Sequence, residues 1–73
     1  MKWNDINVQF GNTLRKIREG REMTQEEFSA YCGISRAYYG RIERGEHSTT
    51  LEICQKISEA TGLSLSELFE DIV

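Results

Sequence analysis

The stretch Gln25-Glu26-Glu27-Phe28-Ser29-Ala30-Tyr31-Cys32-Gly33-Ile34-Ser35-Arg36-Ala37-Tyr38-Tyr39-Gly40-Arg41-Ile42-Glu43-Arg44 reads as two short helices joined by a tight turn. Thr24 just ahead of it, with Glu27 three residues on, forms a capping box: the hydroxyl accepts from an amide left free at the helix start while the glutamate reaches back. Phe28, Tyr31 and Cys32 share one side of this helix. Gly33 ends it, because glycine takes a positive φ without a Cβ clash. Ser35 then suits the N-cap of the next helix, which runs to about Arg44 and stops at Gly45 by the same device.

Four positions at fixed offsets meet the steric demands of a helix-turn-helix. Ser29 is small enough for two helices to cross closely, and Gly33 can make the turn. Tyr39 and Ile42 fall where the second helix must point inward. On a helical wheel of about 100° per residue, with Arg36 at zero, Gly40, Arg44, Ala37 and Arg41 fall at about 40°, 80°, 100° and 140°. Tyr39 and Ile42 lie opposite, and Tyr38 sits on the flank. The arc therefore presents three arginines and two small residues with no acid among them. A helix of that shape suits a DNA major groove, where small residues permit close approach and arginines reach base edges or phosphates.

Outward from this pair, Ile6, Phe10, Leu14 and Ile17 form a helical stripe, giving a first helix over about residues 5 to 19 that fades near Gly20. Downstream, the polar run Glu46-His47-Ser48 leads to Thr49 or Thr50 as the cap of a fourth helix, with Leu51, Cys54, Ile57 and Ala60 as its apolar positions up to Gly62. Ser64 with Glu67 makes a second capping box. A fifth helix with Leu65, Leu68, Phe69 and Ile72 is expected to run into the C-terminus. Strand-like alternation, repeats and proline are absent from the sequence, so the expectation is an all-α bundle of five short helices: one domain over 1–73, with the helix-turn-helix at about 24–44 and core and dimer-forming helices at about 50–72.

The chain has 73 residues and a net charge of −3. That total hides a dipole: residues 1–45 hold eight basic and six acidic side chains, +2, whereas residues 46–73 hold one lysine and six acids, −5. Such a molecule can dock on DNA in one orientation while its far side is repelled. The opening Met1-Lys2-Trp3-Asn4-Asp5 lacks the apolar run of a signal peptide, and no stretch is long and apolar enough to span a membrane, so a cytoplasmic location is expected. Cys32 and Cys54 sit in apolar patterns and read as buried thiols. The single histidine, His47, lies in a polar segment, and there is no phosphate-binding glycine loop, zinc spacing or nucleophile set. No enzyme activity, metal or cofactor is expected.

Leu14-Arg15-Lys16-Ile17-Arg18-Glu19, Met23-Thr24-Gln25-Glu26-Glu27-Phe28, Gly33-Ile34-Ser35, Arg41-Ile42-Glu43-Arg44-Gly45 and Leu68-Phe69 together resemble the phage-repressor (Xre-type) helix-turn-helix family of DNA-binding regulators, over about residues 10 to 70. Within it, Arg36 to Gly45 followed by Thr50-Leu51 looks most like the controller proteins of restriction–modification systems. The resemblance implies a lambda-repressor-like domain whose DNA contacts are Thr24, Gln25, Ser35, Arg36, Ala37, Tyr38, Arg41 and Arg44. Arg36, Ala37 and Arg41 would face bases; Arg44, Tyr38 and Gln25 would meet phosphates. Arg18 and Glu43 resemble the family's buried ion pair. Three departures stand out: Ser48-Thr49-Thr50 in place of a loop proline, Ser29 where alanine is usual, and Tyr39 at an aliphatic position.

One short helix in one groove makes few contacts, so a homodimer reading two half-sites of a palindromic operator is expected. Ile53, Phe69 and Ile72 are the interface candidates, with Trp3 and Val73 also apolar and available; Leu65 and Leu68 are assigned to the core. The leading expectation is a sequence-specific regulator of transcription, a repressor or activator that occludes or assists RNA polymerase. The alternative is an antitoxin-type interaction module whose acidic C-terminal half binds a basic toxin partner.

Overall fold

The structure, a computed structural model, describes the backbone of residues 3–72 and the side chains of residues 6–72. Its helices are α1 (Trp3–Gly20), α2 (Gln25–Cys32), α3 (Arg36–Glu43), α4 (Leu51–Thr61) and α5 (Leu65–Leu68), with no strand among the described residues. The all-α class expected from the sequence is the one found. α1 packs on α3 and α5, α2 on α3 and α4, and α4 on α5.

Local chemistry sets most of the boundaries. Both capping boxes form: the Thr24 hydroxyl accepts from Glu27 N–H at 3.1 Å, and the Ser64 hydroxyl accepts from Glu67 N–H at 3.0 Å. Ser35 caps α3 through Tyr38 N–H, and Thr50 rather than Thr49 caps α4 through Ile53 N–H. Gly33, Gly45 and Gly62 take φ of 73°, 75° and 77°, the left-handed region that L side chains avoid. α1 ends where its apolar stripe fades. Gly20 is its last helical residue, and Glu22 takes the left-handed turn at φ 57° while Met23 N–H donates back to the Arg18 carbonyl at 3.2 Å.

The core is built from Phe10, Leu14, Phe28, Cys32, Ile34, Tyr39, Ile42, Cys54, Ile57 and Leu68. Full burial of an aliphatic or aromatic side chain is worth about 1.5–3 kcal/mol, so these few residues carry the hydrophobic stabilisation of a small domain. The Phe28 and Tyr39 rings meet edge to face with centroids 5.4 Å apart. Both cysteines are free and buried. Burial pushes the Cys32 thiol up to about 11 and raises that of Cys54 as well.

Three expectations are corrected. α5 is a single turn and does not continue helically: beyond Leu68 the backbone bonds tighten to three-residue closures, Glu70 N–H to Glu67 and Ile72 N–H to Phe69. Leu65 is not core; it stays 39% exposed while Leu68 is fully buried. Leu51, counted among the apolar positions of α4, is 77% exposed. Three-residue spacing drifts by about 60° per step on a helix, so Leu51 falls at the edge of the face that buries Cys54, Ile57 and Thr61, while Ala60 stays half-buried against the core.

Candidate DNA-recognition surface

The turn between α2 and α3 is held by local bonds. Gly33 N–H donates to the Ala30 carbonyl, Ile34 N–H to the Ser29 carbonyl at 2.9 Å, and the buried Ser29 hydroxyl to the Glu26 carbonyl at 3.0 Å. Serine at this crossing is thus small enough and satisfied. Ile34 is buried, which leaves Ser35 and the start of α3 at the surface.

α3 buries Tyr39, Gly40, Ile42 and Glu43 and exposes Arg36, Ala37 and Arg41, with Tyr38 half-buried. Arg44, the C-cap residue, is exposed too. The wheel placed Gly40 on the open arginine arc, and here the structure differs. A Cβ built on Gly40 would stand 3.1 Å from Arg44 Nη1 and 3.7 Å from Gln25 Oε1, so this glycine houses two side chains rather than a groove wall. The outward arc is consequently narrower, running from Arg44 through Ala37 and Arg41 to Tyr38, with Arg36 free at the helix start. Tyr38 lies edge-on to His47, centroids 5.3 Å apart, which links the helix to the loop after it.

Behind this surface stands a buried polar cluster. Arg18 Nε donates to Glu43 Oε2 at 3.0 Å and Arg18 Nη2 to Glu43 Oε1 at 2.8 Å, a bidentate pair whose side chains are only 13% and 4% exposed. Arg18 Nη1 also donates to the Met23 carbonyl at 2.9 Å, and Gln25 Nε2 donates to Glu43 Oε1 at 3.0 Å. One carboxylate therefore ties α1, α2 and α3 together. Burial pushes the Glu43 carboxyl up, but Arg18, Tyr39 and Gln25 outweigh it and hold the group below the usual carboxylate range. Gln25 is engaged inward, a constraint that its position at the start of α2 did not reveal. The Tyr39 hydroxyl is buried beside Glu43 without a well-formed hydrogen bond, and burial raises its pKa.

Two backbone approaches give α3 its seat. A Cβ on Gly11 of α1 would stand 2.3 Å from the Glu43 carbonyl oxygen and 2.7 Å from that of Ile42, so only glycine lets α1 come this close. Gly45 meets Val8 in the same manner. Sequence reasoning passed over Gly11, although a glycine inside a helix stripe is a signal of close approach.

An apolar groove of about 460 Å³ runs between α1, the loop before α4 with His47, and the chain after α5. Ile6, Phe10, Leu51, Phe69 and Ile72 line it, and Phe69 packs on Phe10 with ring centroids 5.8 Å apart. Of the interface candidates, Phe69 and Ile72 face this groove, whereas Ile53 is half-buried against the core and stands outside it. Trp3 and Val73 lie outside the described side chains. Leu51 and Ile6 are the most exposed apolar lining. Among the described residues no group of three or more metal-ligating side chains converges, and no helix is long and apolar enough to cross a membrane.

A family model described as helix-turn-helix matches residues 14–68. The chain is 46% identical over 70 residues to the control protein C.MunI of a Mycoplasma species, covering 94% of this chain and 95% of that protein. Its fold is similar to the crystal structure of the restriction–modification controller protein C.AhdI from Aeromonas hydrophila, with a TM-score of 0.81 and 33% identity over 86% of this chain and 96% of that one. It is also similar to a transcriptional regulator from Vibrio cholerae, with a TM-score of 0.85 and 30% identity over 94% of this chain, which spans only 39% of that longer chain.

Proposed function

Because this chain belongs to the helix-turn-helix family of transcriptional regulators, we propose that it is a sequence-specific regulator that binds double-stranded DNA as a homodimer and controls a restriction–modification system. The observation that carries the reading is the exposed arginine face of α3, seated on a core that leaves it little freedom. Arg36, Ala37 and Arg41 read base edges in the major groove, where a bidentate arginine–guanine contact discriminates by about 1–3 kcal/mol. Thr24, Ser35, Tyr38 and Arg44 ring that face and meet the sugar–phosphate backbone. Gln25 contributes through its hold on Glu43 and through the amides at the start of α2.

Specific protein–DNA affinities at physiological salt, about 10⁻⁸–10⁻¹¹ M, need more contact than one eight-residue helix offers. The groove beside Leu51, Phe69 and Ile72 supplies the second copy's seat: a leucine 77% exposed at the rim of an apolar cleft is the surface a partner would cover. The control protein and the controller structure it resembles supply the biological setting.

The test replaces Arg36 and Arg41 together with alanine. Both side chains are exposed, so the circular-dichroism melt should stay nearly unchanged while affinity for a duplex selected from a random-sequence pool is lost. Unchanged affinity for that duplex would overturn the proposal.

A further inference from the structure

In the free protein the Arg44 guanidinium is already paired. Its Nε donates to Glu46 Oε2 at 2.8 Å and its Nη2 to Glu46 Oε1 at 3.3 Å, with both side chains slightly more than half exposed. The loop that brings them together is fixed by its own backbone. Gly45 turns at φ 75°, and Glu46 N–H donates to the Arg41 carbonyl at 2.9 Å, closing the chain back onto α3. Meanwhile Arg44 Nη1 lies over Gly40, so the guanidinium rests along the recognition helix. The hydrogen bonds from Arg44, and after them the charges of Arg44 and Arg41, hold the Glu46 carboxyl below its ordinary range despite slight desolvation. An ionised carboxylate thus stands among the arginines of the DNA-facing surface.

We infer that Glu46 is a specificity-determining residue: in the free protein it occupies the Arg44 guanidinium as an internal counter-ion, and a duplex phosphate must displace it. The inference rests on the DNA-binding reading above. A guanidinium fork offers one pair of N–H groups to either a carboxylate or a phosphate, not to both. Non-specific binding is almost wholly a matter of charge, so a side chain that neutralises one cation per protomer weakens it most. Specific binding adds base contacts from Arg36 and Arg41 that hold the helix in register and bring a phosphate steadily against Arg44. Of the two acids near the end of α3, Glu43 is consumed by Arg18, which leaves Glu46 as the one that faces the duplex.

Glu46→Gln keeps the shape and removes the charge, and because the pair is exposed the fold should not notice. Fluorescence anisotropy with a random-sequence duplex and with the selected duplex, at low and high salt, reads the effect. Affinity for the random duplex should rise about three- to tenfold at low salt and less at high salt. Affinity for the selected duplex should rise less, so the specificity ratio falls. Placed on Arg44→Ala, the same substitution should have less than half its effect on the logarithm of affinity. Unchanged or weaker binding to the random duplex, or an equal gain without Arg44, would overturn the inference while leaving the DNA-binding reading intact. A wild-type chain that binds neither duplex would overturn both.

Discussion

The two halves of this molecule are held by different physics. Around α1, α2 and α3 the helices are pinned by a buried bidentate ion pair, a glutamine that joins it and two glycines that let backbones touch. Around α4 and α5 the contacts are mainly apolar, the hydrogen bonds are local apart from one from Arg21 Nη2 to the Thr61 carbonyl at 2.7 Å, and a cleft with an exposed leucine is left at the edge. Charge follows the same division, +2 over residues 1–45 and −5 over residues 46–73. A reader of base edges must place three side chains to within fractions of an ångström, and directional bonds do that better than hydrophobic contact. A surface that meets a second copy needs adhesion and tolerates slack.

Breaking the pinned half should cost most. Glu43→Ala strands the Arg18 guanidinium and one donor of Gln25 in a buried site, and should destabilise the fold by about 3–5 kcal/mol in urea titrations. Replacing both partners with apolar residues should recover much of that loss. Acid should reproduce part of it. Because the Glu43 carboxyl sits below its ordinary value of 4.5 when folded, the stability it contributes is present above that value. It is lost as the pH falls through the lower folded value, and a melt followed from neutral pH downward checks the sign.

Gly11→Ala tests the other pin. With a Cβ 2.3 Å from a backbone oxygen, α1 or α3 must move, so the expected loss is about 3 kcal/mol, at the upper end for overpacking. If alanine is tolerated, the helices are not seated as described. The smallest effect on folding belongs to the α4–α5 half, where the proposed dimer contact lies. Leu51→Ser should change monomer stability by no more than about 0.5 kcal/mol, since the side chain is already in solvent. It should weaken dimerisation about tenfold or more, roughly 1.4 kcal/mol, in sedimentation equilibrium. A large stability loss with unchanged association would place Leu51 in the core and erase the contrast between the halves.

Much of the fold was legible residue by residue. Thr24, Ser35 and Ser64 announced their helices because an N-cap is a contact over three residues, fully contained in the local sequence. Gly33, Gly45 and Gly62 announced the ends because a positive φ is a property of one residue. The arginines of α3 were visible as a face because helical periodicity is local as well. The fifth helix was overextended for a related reason: Phe69 and Ile72 continue an apolar spacing, and only packing on Phe10 and the groove draws them out of helical register.

By itself, then, the sequence determined the helices, their caps, the tight turn and the arginine face, all set by interactions a few residues long. Only the tertiary structure decided that Gly40 is covered by Arg44 and Gln25, that Gly11 is the seat of α3, and that Arg44 is engaged by Glu46. The same holds for Leu51 and Leu65, which share the apolar character of the core yet face outward. The Gly11 seat, the Gln25 cover of Gly40 and the outward leucines depend on elements remote in the chain or on which side of a helix finds a neighbour, whereas Arg44 and Glu46, two residues apart, meet because the chain turns at Gly45 back onto α3. Periodicity can say that a residue belongs to a face, but packing alone says whether that face is closed, paired or free.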